Sequence, residues 1–386
     1  MDLSMFFDPV EAGYPRPESR YPDTWGRHVP VYQDLFPEWE EADVLLIGIC
    51  EARDMPEMAP AADAIRQRLA DLSLPADRMR VADLGNLKGR ETAADYHELL
   101  AYVLRYLFGQ GKTVLLIGGS QDIVMGQYLA CDVLPHPIEY AHIDARFDLE
   151  DATFRLDRRS FNHQLLFQPD GHLFHYTNLG YQRFVVSDRQ RRQLAARHFA
   201  ALRYGELTGR IEEAEPYLRM ADLVAFDMSA VRMQDAPAAA DPSPGGFTAL
   251  EACRLARYAG LGYRTRSFSL TEICPALDQR EQTVMLGAML CWYFVEGYYS
   301  RLDDYPLEDR SNLRKYSVRL HASVEVIDFF RHPGSERWWM EVPYPEALNQ
   351  PARRRVLVPC SRRDYEFAQG DDIPERWWLT FNKLQA

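Results

Sequence analysis

The feature that most constrains this chain is an alternation of strand-length apolar runs with segments carrying apolar residues at helical spacing, sustained from about residue 43 to residue 300. Val44 to Ile49 is unbroken apolar, and Ala61 to Leu72 sets Ile65, Leu69 and Leu72 along one helical face. The pattern repeats with a strand at Arg80–Leu84, a helix at Tyr96–Phe108 closed by Gly109 and Gly111, and a strand at Thr113–Ile117. Further helices are predicted over Ile123–Leu134, Ser187–Arg203, Thr248–Ala259 and Asp278 to about Tyr299. Strands are predicted at Ile138–Ile143, Leu173–Thr177, Leu223–Phe226 and Tyr263–Leu270. Such alternation implies right-handed crossovers and a mainly parallel sheet covered on both faces, a three-layer αβα domain. Ligands of these sheets bind beyond the carboxyl ends of the strands. Polar clusters stand at three of those ends: Gly118–Asp122, Asp144–Asp148 and Asp227–Val231.

The flanks differ. Residues 1–42 form an aperiodic arm, with Pro and aromatic residues crowded between Phe6 and Trp39. Residues 301–386 hold 14 basic and 14 acidic residues, so the net charge of −13 lies wholly in residues 1–300. Four of the seven Trp fall in this C-terminal extension, as Trp338–Trp339 and Trp377–Trp378. On strands, each pair would bury one ring on either face and pin the extension to the core; a docking role is the alternative, since Trp anchors interfaces. A negative chain argues against nucleic-acid binding, and no apolar run reaches the roughly 18–20 residues of a membrane span. The N-terminus lacks a secretory h-region, so a cytoplasmic protein is expected. The six cysteines form no C-x-x-C pair and read as buried hydrophobes.

Taken in order, the three strand-end clusters resemble the arginase, agmatinase and formimidoylglutamase family, the ureohydrolases. That family carries Gly-Gly-Asp-His-Ser, Asp-Ala-His-x-Asp and Ser-x-Asp-x-Asp, whose His and Asp side chains hold two Mn²⁺ sharing a hydroxide. Here the motifs read Gly118-Gly119-Ser120-Gln121-Asp122, Asp144-Ala145-Arg146-Phe147-Asp148 and Ala225-Phe226-Asp227-Met228-Ser229. Quieter collinear matches are Ala64-Ile65-Arg66, Asp83-Leu84-Gly85-Asn86, Gly245-Gly246-Phe247-Thr248 with Glu251, and Glu272-Ile273-Cys274-Pro275. The resemblance spans about Asp43 to Gly297 and implies the arginase-like fold. It also implies metal ligands at Asp144, Asp148 and Asp227, with Gln121 as a weak fourth, and catalytic roles for Asp148 and Glu251.

The departures are as informative. Two ligand His positions have become Gln121 and Arg146, and one ligand Asp has become Ser229. Mn²⁺ prefers carboxylate and imidazole donors, and a guanidinium stays protonated. At roughly 4 Å from a dication, each unit of charge costs about 4 kcal/mol at an effective dielectric of 20. Three Asp with Arg146 balance one dication at most, so no metal, or one Mn²⁺ per chain, is expected. A guanidinium at residue 146 would bridge the carboxylates as an internal salt-bridge cluster.

Plainer readings stand beside these. Glu251 is equally a helix-surface carboxylate. His142 is a core histidine able to orient Asp144, while His172 and His175 point to opposite faces of a strand. Ser120 lacks a nucleophile elbow. The expectation is therefore a non-catalytic binding or scaffold relative, with a hydrolase of linear amidines using one metal or an altered site as the alternative. A small guanidino or formimino ligand, a protein partner through the extension, and a homo-oligomer are the contacts expected.

Overall fold

The computed structural model describes residues 1–11, 21–150, 157–168, 171–302, 304, 310–320, 326–344 and 355–385. Part of the N-terminal arm, residues 12–20, lies outside them. The strands of the first sheet are β1 (Phe7–Asp8), β2 (Val44–Gly48), β3 (Val81–Leu87), β4 (Thr113–Ile117), β5 (Ile138–Ile143), β6 (Leu173–Tyr181), β7 (Ala200–Arg203), β8 (Leu223–Asp227) and β9 (Ser267–Thr271). They lie in the order β1-β3-β2-β4-β9-β8-β5-β6-β7. Only the β1–β3 pairing is antiparallel, so the arm lends the sheet its one reversed strand.

The helices are α1 (Trp25–His28), α2 (Ala61–Ala70), α3 (Ala93–Gly109), α4 (Val124–Leu129), α5 (Phe161–Leu166), α6 (Asp188–Ala196), α7 (Tyr204–Leu207), α8 (Glu215–Met220), α9 (Ala249–Leu261), α10 (Gln282–Tyr299), α11 (Arg362–Gln369) and α12 (Glu375–Lys383). Because strand side chains alternate between faces, Leu46, Leu115, Val224 and Phe268 join the core under α2, α9 and α10. Leu45, Val114, Leu116 and Ala225 join the opposite core under α3 and α4. Two apolar layers against one sheet give the αβα architecture. Arg66, wholly buried on α2, grips Asp83 of β3 through two bonds of 2.8 and 2.9 Å, a bidentate pair that fixes helix to sheet.

The predicted helix over Ser187–Arg203 is corrected. It ends at Ala196; His198 takes a left-handed turn at φ 53°, and Ala200–Arg203 returns as edge strand β7 along β6. The edge of β6 offers backbone partners that outweigh the local helical preference.

The extension is a separate antiparallel sheet of β10 (Arg314–Arg319), β11 (Val326–Arg331), β12 (Trp338–Pro343) and β13 (Arg355–Cys360), followed by α11 and α12. Trp338 and Trp339 sit on β12 and bury into two different clusters, one on each face. Trp377 and Trp378 are on a helix instead of a strand. Trp377 is buried and donates to the Glu341 carbonyl at 2.9 Å, whereas Trp378 is half exposed. Buried Arg219 of α8 joins the two units: it donates to the Trp338 carbonyl at 3.0 Å and lies 4.8 Å from the Trp339 ring centre. Among the described residues no helix is long and apolar enough to cross a membrane.

Candidate functional site

Strands β4, β9, β8 and β5 are consecutive neighbours, and their carboxyl ends bring Gln121, Glu272, Asp227, Asp144 and Asp148 together. The turn after β4 is made by Gly118 and Gly119, both left-handed at φ 85° and 73°. A Cβ on Gly119 would sit 2.3 Å from Ile49 Cγ2, so only glycine fits there. The turn delivers Gln121, whose backbone N–H donates to Glu272 Oε1 at 2.8 Å and whose side-chain amide lies against His142 Nε2.

Asp144, at the end of β5, accepts the Arg146 N–H at 3.0 Å through Oδ1. Its Oδ2 is 3.3 Å from His142 Nε2, and Asp148 Oδ2 is 3.7 Å from the same nitrogen. Both of these carboxylate oxygens are buried, and neither accepts a hydrogen bond. The His142 ring is held from behind at Nδ1 by the Tyr176 hydroxyl at 2.9 Å and the Asn162 side-chain amide nitrogen at 3.2 Å. On β8, Asp227 Oδ1 accepts the Ser229 N–H at 2.6 Å, and Ser229 Oγ accepts the Asp241 N–H at 3.1 Å.

Burial dominates the electrostatics. It pushes Asp144 and Asp148 well above the usual carboxylate range, reinforced for Asp144 by Asp148 and Asp227; it lifts Asp227 to about 6 and Glu272 to about 8. Burial also pushes His142 down to about 3, so its imidazole is neutral at physiological pH. Two of the carboxylates hold strained backbones: Asp148 and Glu272 are left-handed at φ 51° and 65°. Such a conformation costs about 1–3 kcal/mol in a non-glycine residue and persists only where surroundings enforce it.

The guanidinium that enters this acidic group is that of Arg158. Its Nη1 stands 2.8 Å from Glu272 Oε2 and 2.9 Å from Asp241 Oδ2, while Arg159 Nη2 grips the same Asp241 at 2.8 and 2.9 Å. The expectation that residue 146 bridges the carboxylates is corrected. Arg146 is half-buried at the rim and forms no ion pair among the described residues. Its backbone is tied by Asp144 and by Asn178 Nδ2, which donates to its carbonyl at 2.7 Å, and this leaves the side chain at the mouth. The cleft bounded by Asp144, Arg146, Asp148, Arg158 and Asp227 holds about 30 Å³, little more than a water molecule.

Glu251 lies elsewhere. It closes a capping box on α9, its Oε2 accepting the Thr248 N–H at 2.8 Å and hydroxyl at 3.0 Å, and it does not line the cleft. His175 is not near the carboxylates either; its Nδ1 meets Lys383 Nζ of the extension. Sequence reasoning missed Arg158 and Asp241 altogether and quoted Glu272 only inside a motif. The position of Glu272, directly after β9, is the signal that identified the other carboxylates.

One divalent cation suits the donor set. His142 Nε2 and oxygens of Asp144 and Asp148 lie within 4.8 Å of one another, and two of these are the unanswered carboxylate oxygens. His142 Nε2 is the ring nitrogen that faces the two carboxylates, and the Gln121 side-chain amide now lies against it, so a cation would take the place of that amide contact. A second cation is poorly served: Glu272 and Asp241 are taken by Arg158, Asp227 and Ser229 would remain to hold it, and Arg158 already supplies positive charge beside them.

Residues 43–296 match the arginase family. The chain belongs to that family. Among curated relatives, the formimidoylglutamase of Salmonella paratyphi C is 21% identical over 280 residues, covering 67% of this chain and 87% of that protein. That of Geobacillus kaustophilus is 28% identical over 195 residues, 48% of this chain and 60% of that protein. Among solved structures, formimidoylglutamase from Bacillus subtilis superposes with a TM-score of 0.66 at 15% identity, over 76% of this chain and 97% of that one. Trypanosoma cruzi formiminoglutamase with Mn²⁺₂ gives 0.63 at 17% identity, over 68% and 96%. These likenesses establish the arginase-like fold.

Proposed function

We propose that this chain is an arginase-family protein that has given up dinuclear hydrolysis and serves as a binding or scaffold protein. The observation that carries the reading is Arg158, whose guanidinium spans Glu272 and Asp241 across a cleft with room for about one water. A cationic guanidino or formimino substrate would compete with a tethered guanidinium at effectively high local concentration. Gln121, Arg146 and Ser229 remove the imidazole and carboxylate donors that a second Mn²⁺ needs. Six free thiols suit a cytoplasmic setting.

A second reading keeps a hydrolase of linear amidines with one cation on His142, Asp144 and Asp148, favoured by their convergence. Bound there, a divalent ion would polarise a C–N carbon and lower the pKa of a water. The protein's share would be to hold that ion on two buried carboxylates and to keep the imidazole neutral by burial, its ring oriented by the Tyr176 contact.

Elemental analysis after Mn²⁺ loading, with urea and formamide release assayed on guanidino and formimino substrates, separates the readings. The non-catalytic reading expects at most one Mn²⁺ and no product. Two tightly held equivalents, or turnover that depends on Mn²⁺, would overturn it.

A further inference from the structure

At the opposite ends of the same strands lies a cavity of about 220 Å³, between the α/β domain and the extension. Its floor is formed where β5 and β6 begin, by Pro137, Glu139 and Phe174; one wall is α8, with Tyr217 and Met220. Its roof is the extension: Val356 and Val358 of β13, Leu379 of α12, and Leu384. The space is mostly apolar, and it exists because the extension folds back over the sheet.

The charged groups on its wall are not equivalent. Arg264 is answered by buried Asp222, with Nη2 at 2.8 Å and Nε at 3.2 Å, and has Glu139 at 3.8 Å. Arg376, on the first turn of α12, is stacked with its guanidinium carbon 3.6 Å from the centre of the Tyr217 ring. Its Nε and Nη1 are buried atoms with no hydrogen-bond partner, and it forms no ion pair among the described residues. A buried donor on a charged group left unanswered carries a desolvation cost that nothing offsets. Stacking on Tyr217 holds the fork in place, and a ligand acceptor would satisfy it.

We propose that this cavity is a binding site for a small apolar monocarboxylate, with Arg376 as the anion anchor and the α8–α12–β13 walls enclosing its hydrocarbon part. The size supports this class: a cavity of about 150 Å³ lined by apolar side chains accepts benzene, so the present one has space for one ring with a short carboxylated arm. The charge supports it too. Arg264 is held by Asp222 and has Glu139 at 3.8 Å, so Arg376 is the guanidinium left to receive an anion, and the carboxylates already present disfavour a dianion. A cationic amine would meet Arg376 and be repelled.

The test uses the full chain and isothermal titration with 3-phenylpropanoate and octanoate, against 3-phenylpropanol and 3-phenylpropylamine of matching shape. Saturable 1:1 binding of the acids, at least about tenfold tighter than the alcohol and with no binding of the amine, is expected from a charge-assisted contact in a desolvated site. Arg376→Gln should weaken the acids about tenfold or more and leave the alcohol unchanged. Leu379→Trp, which fills the space, should abolish binding of every probe, whereas Arg362→Gln on the exposed face of α11 should change nothing. Absence of saturable binding by either acid, equal affinity for acid and alcohol, or binding that survives Leu379→Trp would each overturn the proposal. The acid-against-alcohol comparison is made on the parent protein, so it decides the matter even if a variant fails to fold.

Discussion

The two ends of the parallel sheet carry two arginines in opposite circumstances. Arg158, over the carboxyl ends, has its guanidinium closed between Glu272 and Asp241 in a cleft of about 30 Å³. Arg376, over the amino ends, borders about 220 Å³ with two nitrogens unanswered. The difference teaches that an arginine is structural or receptive according to what already answers its N–H groups, whatever the sign of its neighbourhood. At the end where the family's motifs lie, the guanidinium is already answered by internal carboxylates. At the other end, an added segment has enclosed space that the family motifs do not describe.

The sharpest way to break this contrast is Arg158→Ala. Removing the cation that answers buried Glu272 should destabilise the protein by about 3–5 kcal/mol in urea denaturation, and Mn²⁺ should raise the melting temperature of the variant more than that of the parent. An unchanged midpoint would show that Arg158 is not closing the cleft. The next effect is on metal stoichiometry. Gln121→His, Arg146→His and Ser229→Asp together should still hold about one Mn²⁺ while Arg158 is present, and two once Arg158→Ala is added, because ligands act as a set. Two equivalents with Arg158 in place would mean that its charge does not guard the second position.

A smaller effect is expected in the extension, where Trp377→Phe keeps an aromatic ring but loses the bond to the Glu341 carbonyl and part of the buried indole, about 1–2 kcal/mol by thermal or urea denaturation. The smallest belongs to Arg146→Ala, within about 0.5 kcal/mol of the parent, as for a rim residue with no ion pair among the described residues. A loss of several kcal/mol there would return the bridging role to Arg146 and remove it from Arg158.

The sheet was legible because its strands are continuous apolar runs and its long helices keep strict spacing, so local pattern and final burial agree. Ala200–Arg203 was not: RRQLAARHFAALR satisfies a helix locally, and only the free edge of β6 turns its end into a strand. Trp377–Trp378 carried a helix signal in Pro374 and Glu375, the residues that start α12. The three aspartates were legible because strand ends are where such folds place chemistry. Arg158 was not, since its partners lie 83 and 114 residues away and nothing in its local sequence points to them. Asp241 sits in an aperiodic loop, and Arg146 was misplaced because sequence gives a residue's neighbours along the chain and not the direction in which a tied turn leaves its side chain.

The distribution of tryptophan makes this molecule report on itself unevenly. Trp338, Trp339 and Trp377 are all buried in the extension, so intrinsic fluorescence follows that unit disproportionately. Far-ultraviolet dichroism is weighted by the helices flanking the parallel sheet. The two signals therefore observe different bodies. Were the extension to detach before the α/β domain melts, the fluorescence transition would come first, and a single melting temperature would cease to describe the chain.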